Sequence, residues 1–322
     1  MRGFDPEFTD LPDYILGITK AIWEDRGVDT LHRFYADDVI VRSPAGVVTG
    51  NGGVIAATLA TLAEFPDRQL LGEDVIWSGD EDKGFLSSHR IVSTATHLGD
   101  GAYGPASGTR FVYRIIADCA AKDNQIYDEW LIRDQGAIVA QLGIDPRAYA
   151  AAQIEAEGGP EAASRPFAPA TDVAGRYTGT GDDGQVGVDY ADLLTAIMAA
   201  GLGSVVEHYD RAAHLELPGG VTGHGWSDAD RFWLGLRSAF PSATFTIHHR
   251  MGRHDSGEAP RAAVRWSLDG THDGWGRYGA PTGAPVHVMG ISHAEWGPRG
   301  LRREWIMLDD TAIWKQILLH TG

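Results

Sequence analysis

Cysteine is almost missing: Cys119 is the single one in 322 residues. That excludes an intrachain disulfide framework and a thiolate zinc site, and it points to a reducing compartment, so the cytoplasm is the expected location. Positive charge is scarce too, with 27 Lys and Arg against 44 Asp and Glu for a net charge of −17. A nucleic-acid backbone or an anionic membrane surface rewards the opposite sign, so neither is an expected partner. The chain has no continuous apolar run of about 18 residues, the length of a membrane-spanning helix. The opening MRGFDPEFTDLPDY shows neither the basic start nor the apolar stretch of an export signal. Hydrophobic residues make up 43% of the chain, enough at this length to bury two sizeable cores.

What the chain does contain is a repetition. THLGDGAYGPASGT, from Thr96 to Thr109, returns as THDGWGRYGAPTGA from Thr271 to Ala284. His97 and His272, Tyr103 and Tyr278, and Gly108 and Gly283 each stand 175 residues apart. The same offset carries Phe65-Pro66 onto Phe240-Pro241, Glu129-Trp130 onto Glu304-Trp305, Asp134 onto Asp309 and Gln141 onto Gln316. Solenoid repeats have periods of roughly 20 to 50 residues, so a period this long means two copies of one domain. The domains are expected at residues 1–150 and 188–322. Between them, residues 151–187 have the Gly, Pro, Ala and Glu composition of a linker. Within the linker, Arg176-Tyr177-Thr178 either adds a short strand or clasps a domain.

Asp10 or Asp13 can cap a helix through Tyr14, Ile15, Ile18, Ile22 and Trp23, which Gly27 ends. A short helix from Thr30 to Tyr35, a hairpin in VIVRSPAGVVTG and an Ala- and Leu-rich helix closed by Phe65-Pro66 follow. LLGEDVIWSG, GFLSSHRIVSTATH, TRFVYRIIADCA and QIYDEWLIRD are then β-branched and aromatic runs separated by Gly, Asp and Asn, hence four successive antiparallel strands. The second copy repeats this order and ends in IWKQILL, at the domain edge or against the other copy. Helices followed by strands give the α+β class, with helices packed on one face of a curved sheet.

This order is joined to Gly101-Ala102-Tyr103-Gly104-Pro105-Ala106-Ser107-Gly108, a closing Glu129-Trp130 to Asp134, and Gln141-Leu142-Gly143. The counterparts are Gly279-Ala280-Pro281-Thr282-Gly283, Glu304-Trp305 to Asp309, and Gln316-Ile317-Leu318. Over both domains the pattern resembles the SnoaL-like polyketide cyclase branch of the nuclear transport factor 2-like superfamily. The resemblance implies two cone-shaped, cystatin-like domains, each with a sheet wrapped round an apolar pocket. It also implies pairing through the outer sheet faces, here as an intrachain pseudo-dimer, with a homodimer also open. The implied chemistry needs neither metal nor organic cofactor: a pocket side chain removes a proton alpha to a carbonyl of a small apolar or cyclic substrate and later returns one. Cyclisation, dehydration and isomerisation would all use those parts, as a lyase or an isomerase. Because a fold does not fix an activity, the alternative is a non-catalytic small-ligand-binding or scaffold protein with both pockets plugged.

The expected catalytic residues are His97, Asp118 and Asp134 in the first domain and His272, His293 and Asp309 in the second. Tyr103, Glu129 and Trp130, with Tyr278, Glu304 and Trp305, are expected to contact the substrate. His97 and His272 each end a strand before the Gly-rich turn, where a histidine serves as base or anchors the turn. On the last strand, alternation puts Trp130, Ile132 and Asp134 on one face and Glu129, Leu131 and Arg133 on the other. The tryptophan face is expected to line the pocket, which favours Asp134 and Asp309; a strand-end cap or an Arg-Asp surface pair is the other assignment. The copies also differ, Asp118 aligning with His293, Asp128 with Arg303 and Val112 with His287. The more histidine-rich second domain is the expected active one. No metal site is expected, since the adjacent His248 and His249 point to opposite faces of a strand. His287 and His293, on one face, stand roughly 20 Å apart, too far to share an ion. Tryptophans are numerous, ten in all, and either line a pocket for a flat or cationic ligand or fill a curved sheet. GDGAYG has no strand, helix and lysine around it of the kind a phosphate loop needs, so a tight turn is expected.

Overall fold

Asp10 accepts the backbone N–H of Asp13 at 2.9 Å and so caps α1, Leu11–Thr19. The apolar face of this helix, Leu11, Tyr14, Ile15 and Ile18, is buried. In the computed structural model, which describes residues 1–322, α1 runs on into a single π-helical turn, Lys20–Glu24, before Gly27. A short α2 (Leu31–Phe34) leads into the hairpin β1 (Tyr35–Ser43) and β2 (Gly46–Thr49), then α3 (Asn51–Glu64). The four expected strands follow as β3 (Gln69–Asp80), β4 (Gly84–Thr96), β5 (Arg110–Lys122) and β6 (Gln125–Arg133). Asp123 and Asn124 both take positive φ, +49° and +67°, which gives the tight turn between β5 and β6 the twist that a hairpin requires. Two helices, α4 (Gln135–Gln141) and α5 (Pro146–Ala156), close the domain.

The second domain repeats the plan: α6 (Gln185–Met198), α7 (Gly203–His208), β7 (Tyr209–Leu217), β8 (Val221–His224), α8 (Gly225–Ala239), β9 (Thr244–Arg253), β10 (Arg261–Thr271), β11 (Pro285–Gly297), β12 (Gly300–Met307) and α9 (Asp310–Thr321). The sheets have equivalent orders, β2-β1-β6-β5-β4-β3 and β8-β7-β12-β11-β10-β9. Their sole parallel pairs are β1 with β6 and β7 with β12. No helix is long and apolar enough to cross a membrane.

The two domains pack sheet to sheet, as an intrachain pseudo-dimer. Ile116, Ile132, Met289, Ile291 and Met307 form one apolar patch of the seam, and Ile76, Leu86, Ala120, Met251 and Ala263 another. Between these patches the contacts are exchanged in pairs. Arg90 lies 3.5 Å over the ring of Trp305, and its equivalent Arg265 lies 3.5 Å over Trp130. Asp118 faces Arg265 at 3.7 Å. His293 sits between Ser88 Oγ at 2.7 Å and Arg90 Nη1 at 3.1 Å. Because a guanidinium can only donate, His293 Nδ1 accepts and Nε2–H donates to Ser88, which fixes a neutral tautomer. Burial and the adjacent Arg90 hold its pKa well below the ordinary histidine value.

The segment between the domains lies along this seam. α5 continues past residue 151 to Ala156, and α6 begins at Gln185. Tyr177 resolves the open choice in favour of a clasp: its N–H donates to Asp128 Oδ2 of the first domain at 2.8 Å, and its hydroxyl meets His249 Nε2 of the second at 2.8 Å. The expected edge helix α9 also touches the other half, Lys315 donating to Glu157 at 2.8 Å.

Candidate active site

The core of the second domain is one continuous cluster of 31 buried residues, whereas that of the first is divided into clusters of 17 and 12. A cavity of ≈ 210 Å³ inside the first cone accounts for the division. Its walls are mainly apolar, among them Ile15, Ile18, Val41, Leu70, Ile91 and Ile115. The π-helical turn brings Trp23 to the wall, where its Nε1 donates to Thr58 Oγ1 at 3.3 Å.

Polar groups enter the cavity from three rungs of the sheet. The first rung pairs Glu129 with Cys119, the next joins Leu131, Ala117 and His89, and the third joins Arg133, Ile115 and Ile91. Because strand residues alternate, Glu129, Leu131 and Arg133 all point inward. Tyr35, at the start of β1, donates its hydroxyl to Glu129 Oε2 at 3.0 Å, leaving Oε1 without a protein partner. Burial raises the Glu129 pKa from its ordinary 4.5 to about 7, against the lowering effect of that hydrogen bond. His89 is pushed down to about 3 by burial and by Arg90, so its ring is neutral, and Nε2 has no hydrogen-bond partner. The buried Cys119 thiol is pushed up and stays protonated.

The second cone keeps the carboxylate and loses the space. Glu304 accepts from Tyr190 Oη at 2.8 Å and from Tyr209 Oη at 2.8 and 2.9 Å, and Trp233 Nε1 backs Tyr209 Oη at 3.0 Å. Trp266, fully buried, donates to Ser292 Oγ at 2.9 Å and lies over Gly290, where any Cβ would collide with its ring. The open cavity thus lies in the first domain and not in the histidine-rich second one, which was expected to be active. His249 and His293 lie at the seam and His272 in the Gly-rich turn, while aromatic rings fill the cone.

Burial raises Glu304 and Asp309 to about 7 as well. A carboxyl group whose native pKa lies above its unfolded one stabilises the fold fully below the unfolded value, and this contribution is lost as pH rises through the native value. Glu304→Gln is accordingly expected to be more stable than the parent at pH 8, by up to roughly 3 kcal/mol, with the gain vanishing near pH 4. Urea melts at the two pH values check this, and equal midpoints for variant and parent at pH 8 would refute it.

The other expected site residues are elsewhere. His97 bonds Ser107 Oγ through Nδ1 at 3.1 Å, and its backbone pairs with Thr109 and Gly108. His272 does the same with Thr282 Oγ1 at 3.0 Å and with Ala284 and Gly283. Both anchor the Gly-rich turn, whose Tyr103 N–H donates to Glu64 at 2.9 Å. Tyr103 stacks on Tyr149 and bonds Gln135, and Tyr278 donates to Asp310 at 2.6 Å, so neither ring lines the cavity. Asp134 is the N-cap of α4, accepting from Ala137 N–H at 2.9 Å, and it also accepts from Gly219 and Gly220 N–H of the other domain at 3.0 Å. Asp309 caps α9 through Thr311 and Ala312. Asp118, Trp130, His293 and Trp305 belong to the seam described above. Of the six expected contact residues, Glu129 alone lines the open cavity, on the face opposite to the one favoured.

Tyr35, Arg68, His89 and Arg133 also line the cavity and were not singled out from the sequence. A signal for them was present. At the offset of 175, Arg68, His89 and Arg133 align with Ala243, Val264 and Leu308, while Thr58 and Ile91 align with Trp233 and Trp266. One copy has polar groups and room where the other has apolar groups and bulk. No three or more His, Cys, Asp or Glu side chains gather in a metal-binding arrangement.

Residues 14–142 match the family model described as SnoaL-like polyketide cyclase, and residues 189–300 match the model described as SnoaL-like domain. Among solved structures, the chain is similar to wild-type IdmH, a putative polyketide cyclase from Streptomyces antibioticus, at 26% identity and a TM-score of 0.36, over 41% of this chain and 98% of that one. It is also similar to AclR, a putative hydroxylase from Streptomyces galilaeus, at 18% identity and a TM-score of 0.36, over 42% and 98%. A third is a protein with a ketosteroid isomerase-like fold from Catenulispora acidiphila in complex with trimethylamine, at 14% identity and a TM-score of 0.34, over 42% and 95%. Comparison with curated proteins gives no match.

Proposed function

For a chain that belongs to the SnoaL-like family in both of its domains, we propose that the first domain is an enzyme performing acid–base chemistry at carbon, and that the second is its structural partner. The observation that carries this reading is Glu129: a buried carboxyl with a pKa near 7 and a free oxygen beside an apolar cavity, whose counterpart Glu304 is fully bonded inside a filled cone. A base poised near the working pH combines a useful ionised fraction with useful basicity.

In this reading a small, largely apolar carbonyl compound lies in the cone. Glu129 takes a proton from the carbon alpha to the carbonyl, and the electron pair of the broken C–H bond moves into the carbonyl as an enolate. His89 is neutral and its Nε2 is unpartnered, so in the Nε2–H tautomer it donates to that oxygen as charge develops there. The enolate carbon then attacks a second carbonyl carbon of the same molecule, whose π pair moves to its oxygen and takes the proton from Glu129, or the enolate recovers that proton at another carbon. Closure and isomerisation thus share the first step, and none of these residues needs a cofactor for it.

The test is deuterium exchange into 1-indanone and cyclohexanone, followed by proton NMR in D2O. The parent is expected to accelerate exchange of the alpha protons in at least one ketone. Thr58→Trp, which copies the plug of the second domain, is expected to abolish that acceleration with the fold retained. Glu304→Gln is expected to leave it unchanged. Acceleration that persists in Thr58→Trp would place the chemistry outside the cone and sink the proposal.

A further inference from the structure

Arg68 and Arg133 both line the cavity, and neither has a carboxylate within ion-pair distance. The Nε of each is buried without a hydrogen-bond partner. Tyr113 bears electrostatically on both and lies within reach of Arg68, as Tyr103 does of Arg133, so the neighbours of the two guanidinium groups are phenols and not carboxylates. Leaving charged donors unsatisfied in a protein interior is costly, and chains rarely keep such a pair unless a ligand completes it. The contrast with the filled cone, which has Ala243 and Leu308 at these positions, shows that the fold itself does not need the two charges.

Their position is as informative as their isolation. Arg133 lies two rungs from Glu129 on β6, about 13 Å along the strand, with the His89 rung between them. Arg68 immediately precedes β3, at the same end of the cone. Arg133, Leu131 and Ser43 also line a second recess of ≈ 280 Å³ at the domain junction, to which Asp309, Thr311, Ala312 and Lys315 of the second domain contribute. Arg133 thus stands where the cone meets this recess, Arg68 lines the cone at that end, and Glu129 stands at the far end.

We propose that the ligand of the first domain is a monocarboxylate: its carboxylate is held by Arg68 and Arg133, and its apolar body, the size of a ring or two, extends past His89 towards Glu129. Charge counting supports a single negative charge. Inside the cone two guanidinium cations face one carboxyl, Glu129, and His89 is neutral, so a monoanion brings the ionised site to neutrality. Lys315 in the recess is already paired with Glu157. Asp309 bears electrostatically on Arg133 from the recess without pairing with it, and burial pushes Asp309 up to about 7. A planar carboxylate also suits the fork of donors that a guanidinium presents.

The proposal deepens the enzymatic reading and rests on the same cavity, but it is tested by binding alone. Benzoate and cyclohexanecarboxylate are titrated by calorimetry against the full chain, with benzamide as the neutral isostere. The acids are expected to bind at least tenfold more tightly than benzamide. Arg68→Gln and Arg133→Gln should each weaken the acids tenfold or more and leave benzamide unchanged. Arg68→Lys and Arg133→Lys, which keep the charge, should recover part of the loss, and near-ultraviolet circular dichroism verifies that each variant is folded. Asp309→Asn should tighten the acids, because it removes a negative charge near Arg133. Equal affinity for benzoate and benzamide, acid binding indifferent to both arginines, or no acid binding at millimolar concentration would each overturn the proposal. Ketone exchange without carboxylate binding would overturn the anchor and leave the enzymatic reading standing. Carboxylate binding with no exchange in any ketone would do the reverse.

Discussion

Glu129→Gln is expected to lower exchange of ketone alpha protons by roughly 10² to 10⁴-fold while the protein stays folded. The amide keeps the shape of the carboxyl and can still accept from Tyr35, so the cavity is preserved and only the proton acceptor is lost. The pH dependence follows from the same group. Burial lifts Glu129 from 4.5 to about 7, so the rate should rise with pH and level off once the carboxyl is ionised, above about pH 7. Stability should move the opposite way. The native state binds the extra proton between the two pKa values, so this group contributes most below pH 4.5 and its contribution is lost as pH rises through about 7. Glu129→Gln, fixed in the neutral form, should therefore be more stable than the parent at pH 8 and similar to it at pH 4. A variant that loses activity and stability together at pH 8 would show that Glu129 serves the fold, and the assignment as base would fail.

Trp130→Ala should destabilise the whole chain by about 3 kcal/mol or more, the usual cost of truncating a large packed aromatic. At this size that corresponds to a fall in Tm of roughly 5 to 10 °C. The loss has two sources. Trp130 covers Arg265 at 3.5 Å and Arg42 at 4.7 Å, and Arg265 Nε and Nη1 make no hydrogen bond, with Asp118 3.7 Å away as its ion partner. Removing the ring leaves a buried cation beside a void. Since Arg90 and Trp305 repeat the arrangement, Trp305→Ala should cost a similar amount, and Trp130→Phe should recover part of the loss. Differential scanning calorimetry reads both. If Trp130→Ala melts within a degree of the parent, the paired stacks do not hold the domains together, and the apolar patches around Ile116 and Met251 carry the seam.

The sequence by itself determined the duplication, the α+β class and the succession of helices and strands along the chain, but not the parallel pairing of β1 with β6 that orders the sheet. These rest on the offset of 175, on the change from helical to alternating periodicity and on Gly and Pro at the turns, all of which are local. It also marked Glu129 and Glu304 as a repeated pair. What it could not decide was which face of β6 looks into the cone. Alternation separates Glu129 from Trp130, but both faces of this sheet are buried, one around the cavity and one against the other domain, so neither apolar content nor a tryptophan distinguishes them. For that reason Asp134, Asp118 and His293 looked like pocket residues, whereas the fold makes the first a helix cap and the other two seam contacts.

Only the tertiary structure decided which copy keeps a cavity. Whether Trp233 and Trp266 fill a cone depends on side chains from α8 and β10 meeting Tyr209 of β7 and Gly290 of β11, each 24 residues away in the chain. The same holds for the guanidinium pair, since Arg68 and Arg133 are 65 residues apart and come together only when the sheet curls. Periodicity reports the environment of a residue relative to its neighbours along the chain. The site is made of residues brought close by the curvature of the sheet and by the docking of the second domain, and no local pattern encodes either.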